Sequence, residues 1–152
     1  MGDIYTMQLN QPSALENALS HLQCVLVARR TRINPEQITW AQYDVLEILR
    51  IRGPMMPSII GETLGMSRST TSKILRVLKD KQLIEQTARR EDRREQTTSL
   101  TDNGEEFLAC TAKNRREAAE IAASILTPGE QSIFAELCQK VALALQENQS
   151  EL

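Results

Sequence analysis

Two groups of side chains in this sequence have the chemistry to hold a polyanion. The first is Ser67-Arg68-Ser69-Thr70-Thr71, with Lys73 one turn further on. The second is Arg89-Arg90, followed past Glu91 and Asp92 by Arg93-Arg94. Hydroxyls bond phosphate oxygens or base edges, and a guanidinium can grip a guanine through two parallel hydrogen bonds. An arginine on a projecting tip can enter a narrow minor groove, where the negative potential is deepest. Between residues 67 and 94, nine basic residues stand against four acids, a surplus of five. The whole chain carries −2, so the remainder carries −7. A basic segment in an otherwise acidic chain is the local footprint of a nucleic-acid binder. The plainer alternatives are a helix cap at Ser67 beside a solvated face, and a solvated charge run for the arginines.

Other chemistry has little to stand on. His21 is the only histidine, which weakens both metal binding and histidine acid–base catalysis. Cys24, Cys110 and Cys138 are odd in number, widely spaced and without a C-x-x-C pair, so they fit reduced thiols better than a disulfide framework or zinc site. With no nucleophile elbow, phosphate loop or metal cluster, the expectation is a non-enzyme without cofactor or metal. Cys24, Cys110 and Cys138 read most simply as small buried apolar residues. Arg29, Arg30 and Arg32 suit the C-terminal dipole of a helix, and Lys113, Arg115 and Arg116 read as a solvated face. No apolar run approaches the roughly 20 residues of a membrane span, and the N-terminus lacks the apolar core of a signal peptide. A cytoplasmic protein with no membrane partner is expected. The myristoylation-like start at Met1-Gly2 and the glycosylation-like Asn148-Gln149-Ser150 are too short and out of context to count.

The elements that must position the two basic groups follow from spacing. Residues 1–12 show no periodicity. Ser13 with Glu16 is a capping-box signal opening a helix striped by Leu15, Leu19, Leu22 and Leu26. Thr39 with Gln42 opens a second, through Val45, Leu46 and Leu49, stopped at Gly53-Pro54. Pro57 or Ser58 starts a short helix ended by Gly65. Ser67 caps a longer one, with Ile74, Leu75, Val77 and Leu78 inward, to about Lys81. Two helices joined across a short turn containing glycine form a helix-turn-helix. The period then changes: residues 83–90 and 95–101 read as two strands around a charged tip at Glu91–Arg94. Thr101 or Asp102 begins one long helix to about Leu126, and Thr127-Pro128 leads into a last helix striped by Ile133, Phe134, Leu137, Val141 and Leu145. The expected fold is mainly α with a small β-hairpin wing. The apolar stripes at both ends exceed what a small lone domain can cover, which predicts subunit association.

Two stretches carry a family resemblance. Leu64-Gly-Met-Ser-Arg-Ser-Thr-Thr-Ser-Lys-Ile-Leu-Arg-Val-Leu78 resembles the turn and recognition helix of the MarR family, the multiple-antibiotic-resistance regulators. Glu91-Asp-Arg-Arg94 followed by Ser99-Leu-Thr-Asp-Asn-Gly104 is similar to that family's wing. The resemblance spans nearly the whole chain. It implies a winged helix-turn-helix in one domain, with dimerisation helices at 13–33 and 103–148 around a DNA-binding lobe at 39–101. It implies a homodimeric transcriptional regulator on near-palindromic double-stranded DNA, a repressor released by a small aromatic acid. Ser67, Arg68, Ser69, Thr70, Thr71 and Lys73 would then meet the major groove and Arg93-Arg94 the minor groove, with Asp92 orienting an arginine. A sensing crevice bordered by the first, second and fifth helices would involve Cys24, Trp40 and Tyr43, with Arg29 or Arg30 meeting a carboxylate. Oxidation at Cys24, or a winged-helix interaction module without DNA binding, are the alternatives. The chain departs from the family at Gln82, where a glycine is common, and this predicts a different end to the recognition helix. The segment from Arg29 to Thr39 is also short.

Overall fold

The computed structural model describes residues 11–33, 35, 37–89 and 92–149, without the side chains of 89, 92–95 and 149. The irregular N-terminal stretch expected at 1–12 lies, up to residue 10, outside the described residues. The chain divides into two compact units, one ending at Asn34 and one beginning at Pro35.

The first unit holds helix α1, Ala14–Arg32. Ser13 caps it, its hydroxyl oxygen accepting from the Glu16 amide at 3.0 Å. None of its residues is buried, and Leu15, Leu19, Leu22, Val25, Leu26 and Val27 are all exposed.

The second unit runs through α2 (Trp40–Arg52), α3 (Pro57–Leu64), α4 (Arg68–Asp80), strands β1 (Ile84–Arg89) and β2 (Asp92–Leu100), then α5 (Asp102–Thr111), α6 (Lys113–Ile125) and α7 (Pro128–Gln149). Local chemistry sets most of these boundaries. Thr39 and Gln42 form a reciprocal capping box on α2. Pro57 occupies the first turn of α3, where its missing N–H costs nothing. Thr101 caps α5 through the Gly104 amide at 3.1 Å, and Thr127 with Glu130 cap α7 reciprocally.

The core lies where α2, α3, α4, the hairpin base and α5 converge. Val45, Leu46, Ile60, Leu78, Ile84 and Leu108 are its most completely buried apolar side chains. The antiparallel hairpin pairs Ile84 with Leu100 through Ala88 with Gln96. A short third segment joins it: Met55 and Thr98 exchange both backbone hydrogen bonds, at 2.9 and 2.8 Å. The α2–α3 connection is thereby fastened to the wing.

Two boundaries differ from expectation. The single long helix foreseen after Thr101 is two, α5 and α6, meeting at Ala112. There the Thr111 hydroxyl donates back to the Phe107 carbonyl at 2.8 Å, a bond that competes with the helical ladder. Strand β2 also starts earlier than foreseen, so Asp92–Arg94 belong to it rather than to the tip. The register moves from Ala88↔Gln96 to Arg89↔Asp92, which leaves residues 93–95 without a partner in β1, a bulge that accommodates the extra length.

Candidate nucleic-acid interface

The turn between α3 and α4 is three residues, Gly65-Met66-Ser67. Gly65 takes a left-handed conformation (φ 63°, ψ 34°), open to glycine without a Cβ penalty. The Met66 amide returns to the Gly61 carbonyl at 2.8 Å, turning the chain back on α3. Helix α4 then buries one face, Thr71, Ile74, Leu75 and Leu78, and exposes the other. Arg68, Ser69, Thr70, Lys73, Arg76 and Lys79 are on that exposed side. The free N–H groups and positive dipole end of α4 open onto the same face, favourable to phosphate.

The six residues singled out on this helix are thereby sorted. Ser67 is the N-cap: its oxygen accepts from the Thr70 amide at 3.1 Å and its hydroxyl donates to Thr70 Oγ1 at 2.9 Å. Arg68, Ser69, Thr70 and Lys73 are exposed. Thr71 is not: it is 3% exposed and its hydroxyl donates to the Ser67 carbonyl at 2.9 Å. It faces Gly61 of α3, and its part in the interface is to set the two helices' approach. Periodicity carried this signal, because Thr71 stands three and four residues before Ile74 and Leu75.

On the wing, Asp92, Arg93 and Arg94 occupy the first positions of β2, and Arg89 ends β1. Their side chains, and Arg90 altogether, lie outside the described residues. The wing's base is well anchored. Thr98 is fully buried, with its hydroxyl oxygen accepting from Gln86 at 3.3 Å. The Thr101 hydroxyl donates to the Gln82 carbonyl at 2.6 Å, tying the end of α4 to the start of α5.

The end of α4 corrects an expectation. Gln82 sits at φ 60°, in the left-handed region usually left to glycine. Its amide reaches the Lys79 carbonyl at 2.9 Å and the Leu83 amide reaches the Leu78 carbonyl at 3.0 Å. That pair of bonds is the Schellman arrangement, and Leu78 and Leu83, whose backbones it joins, are both buried in the core. The helix end is built as a glycine would build it, with glutamine in the strained position.

The proposed sensing residues are scattered by burial. Cys24 is exposed on α1, and Cys110 and Cys138 are exposed as well, against the expectation that all three pack inside. Trp40 and Tyr43 meet edge to face, with ring centroids 5.4 Å apart. Tyr43 belongs to the core. Arg29 and Arg30, partly buried, close α1, and neither is without a partner.

One polar cluster was invisible in the sequence. Glu47 on α2 binds Arg50 at 2.6 Å and Arg115 of α6 at 3.0 Å. Burial pushes the Tyr43 hydroxyl above its ordinary pKa, and the nearby Glu47 carboxylate adds to the rise, while Arg115 and Arg50 oppose it. The Glu47 bond raises Arg50 likewise. Arg115 is therefore a structural tie between α2 and α6, not part of a solvated face. Only the Glu47–Arg50 half, three residues apart on one helix, was legible locally.

Among the described residues, no group of three His, Cys, Asp or Glu side chains could hold a metal ion, and no helix is long and apolar enough to cross a membrane.

A helix-turn-helix with an exposed N-terminal face on its second helix, tied to a following antiparallel hairpin, defines a winged helix-turn-helix protein. The MarR family profile matches residues 36–95, from just before α2 into the first residues of β2. The chain is 24% identical over 140 residues to the HTH-type transcriptional regulator YwaE of Bacillus subtilis (strain 168), covering 91% of this chain and 82% of that one. The structure of NadR in complex with 4-hydroxyphenylacetate is similar with a TM-score of 0.72 at 17% identity, over 88% of this chain and 94% of that one. BpsR of Bordetella bronchiseptica, whose DNA binding is regulated by 6-hydroxynicotinic acid, gives a TM-score of 0.62 at 21% identity, over 86% and 99%. Over residues 36–95 the chain is therefore similar to the MarR family, and its fold is shared with solved structures of transcriptional regulators.

Proposed function

We propose that this chain is a homodimeric, cytoplasmic repressor that binds near-palindromic operators and is released by a small aromatic acid. The observation that carries the reading is the division of α4 into a buried apolar face and an exposed face of hydroxyls and cations at its N-terminal end. In this reading Arg68, Ser69, Thr70 and Lys73 contact the major groove. Ser67 holds the helix start, and Arg93 and Arg94 reach the minor groove, oriented by Asp92. Residues 39–101 are the DNA-binding lobe, and 13–33 and 103–148 supply the dimer helices. Support for dimerisation comes from the apolar side chains left exposed along α1, α6 and α7, among them Leu15, Val27, Ile125, Ile133 and Leu145. Large apolar patches of this kind mark association surfaces. Aromatic acids are favoured because NadR and BpsR, which share the fold, are associated with 4-hydroxyphenylacetate and 6-hydroxynicotinic acid.

Selection of bound duplexes from a random library tests the reading. A near-palindrome should emerge, with half-sites about 34–36 Å apart, one DNA turn. Arg68→Ala should relax the base preference by about 1–3 kcal/mol. An unenriched pool, or a chain that sediments as a monomer and binds as one, contradicts it.

The exposed thiol of Cys24 favours a second reading, release by oxidation. Cys24→Ser separates the two, since it should abolish release by peroxide and spare release by an acid.

A further inference from the structure

Helix α7 meets its own chain through very little. Of residues 128–148 all but two are exposed, and those two are glutamines, Gln131 and Gln146. The large apolar side chains between them, Ile133, Phe134, Leu137, Val141, Leu143 and Leu145, all lie open. The glutamines stand fifteen residues apart, roughly 22 Å along an α-helix. The helix is a strut pinned near both ends.

Gln131 fastens the start of α7 to the end of α6: its Nε2 donates to the Ala123 and Leu126 carbonyls, at 3.4 and 2.9 Å. Gln146 fastens the other end to the helix-turn-helix. Its Nε2 donates to Oγ1 of Thr63 on α3 at 3.1 Å, and its Oε1 accepts from Nη1 of Arg52, the last residue of α2, at 2.8 Å. Arg52 also donates to Thr63 Oγ1 at 3.4 Å, and the Thr63 hydroxyl donates to the Ile59 carbonyl at 2.7 Å. A hydroxyl has one proton and two lone pairs, so that of Thr63 is fully used. The two ends of the Gln146 amide meet partners of opposite kind, and turning it over would set its NH2 against the guanidinium. The bonds span 83 and 94 residues of sequence, where no spacing rule reaches.

We infer that Gln146 is a positioning residue, which locks α3 to the C-terminal end of α7 so that the helix-turn-helix follows that helix. A single bond would leave a pivot, whereas three mutually bonded groups on three helices fix direction as well as distance. Helix α3 leads through the three-residue turn into α4, so the exposed face of α4 is carried along. A second copy covering the open stripe of α7 holds the strut, and Gln146 relays its position to α4. The separation of two recognition helices then depends on the lock, and one base pair of misfit displaces a half-site by about 3.4 Å. That consequence for DNA rests on the dimeric-regulator reading above; the lock itself does not.

The test uses the full chain, the duplex recovered by selection, and the same duplex with one base pair added or removed between its half-sites. The parent should prefer the recovered spacing. In Gln146→Leu, which keeps the bulk of the side chain and removes both bonds, that preference should shrink about five-fold, the worth of one net hydrogen bond. Thr63→Val should do the same, and the double variant no more than either, because both break one contact. The salt slope should match the parent's, since no phosphate contact is lost. Amide hydrogen exchange without DNA reads the lock directly: residues 57–64 and 142–148 should exchange about five-fold faster in both variants. Circular dichroism should show both folded. Unchanged exchange, additive losses, equal weakening on all three duplexes or an intact spacing preference in the variants overturns the inference. A parent that recovers no duplex, with faster exchange in the variants, sinks the regulator reading and upholds the lock.

Discussion

A Cβ atom on Gly61 would lie 2.8 Å from Oγ1 of Thr71, closer than real Cβ contacts come. The two residues mark the point where α3 and α4 of the helix-turn-helix touch. Thr71 cannot turn away freely, because its hydroxyl is bonded to the Ser67 carbonyl. Gly61→Ala should therefore destabilise the fold by about 1–3 kcal/mol, the usual cost of overpacking. Thr71→Ala in the same chain should return part of that loss, a coupling that denaturant unfolding of the four variants measures. Strictly additive losses would show that the contact is not what limits the approach.

Gly104 is tighter still. A Cβ there would collide with the carbonyl oxygen of Leu83, a backbone atom that cannot swing aside. Gly104→Ala should cost about 3 kcal/mol or more, beyond the usual range for a single inserted methyl group, and exceed Gly61→Ala in chemical denaturation. An equal or smaller loss would mean that α5 shifts readily against the wing base.

Much of this architecture was legible because it is local. Ser13, Thr39, Ser67 and Thr101 each bond an amide three residues on, so a window of four residues announces the helix start. The helix-turn-helix and its inward stripe follow from period alone. What escaped depends on distance or on competition. Arg115 meets Glu47 across 68 residues, and no spacing rule reports that. The break at Ala112 lies in a helix-favouring stretch, where one threonine hydroxyl competes for a carbonyl. The cysteines were expected inside on general preference, yet Cys24 and Cys138 lie on helices with no buried residue among those described. Of the interface, the helix could be read down to its cap, whereas Thr71 passed for a contact residue although its periodicity placed it inward.

Gln82 offers a gain in stability. A left-handed conformation costs an L-residue about 1–2 kcal/mol, and glycine escapes that at an entropic cost of about 0.5–1 kcal/mol. Gln82→Gly should stabilise the protein by about 0.5–1 kcal/mol, read as a higher denaturation midpoint at unchanged slope. The Schellman bonds and the Thr101 contact use only the backbone of residue 82 and persist. A loss of stability would show that the glutamine side chain contributes something the backbone does not.

Tyr43 supplies a pH signature. Its pKa is raised from 10.0, chiefly by burial and then by Glu47. The unfolded chain therefore releases this proton first as pH rises. Stability is unaffected by the group below the ordinary value and is lost above it, through the folded value. In a Tyr5→Phe background, ultraviolet titration should find Tyr43 ionising above 10.0. Arg115→Gln should raise it further, because Arg115 lowers it now. Ionisation at the ordinary value would mean that the Tyr43 ring is open to water.

The claim that this chain grips DNA through α4 and the wing is tested most directly by salt. Affinity for duplex DNA should be measured by fluorescence anisotropy across a range of salt concentrations. Each phosphate neutralised releases condensed counterions, so log affinity should fall linearly with log salt, by about 0.9 per contact. Arg94→Ala should flatten that slope by about 1, and Lys73→Ala should do the same if it meets phosphate. A flat salt dependence in the parent, or a steep one that neither substitution changes, would contradict the account.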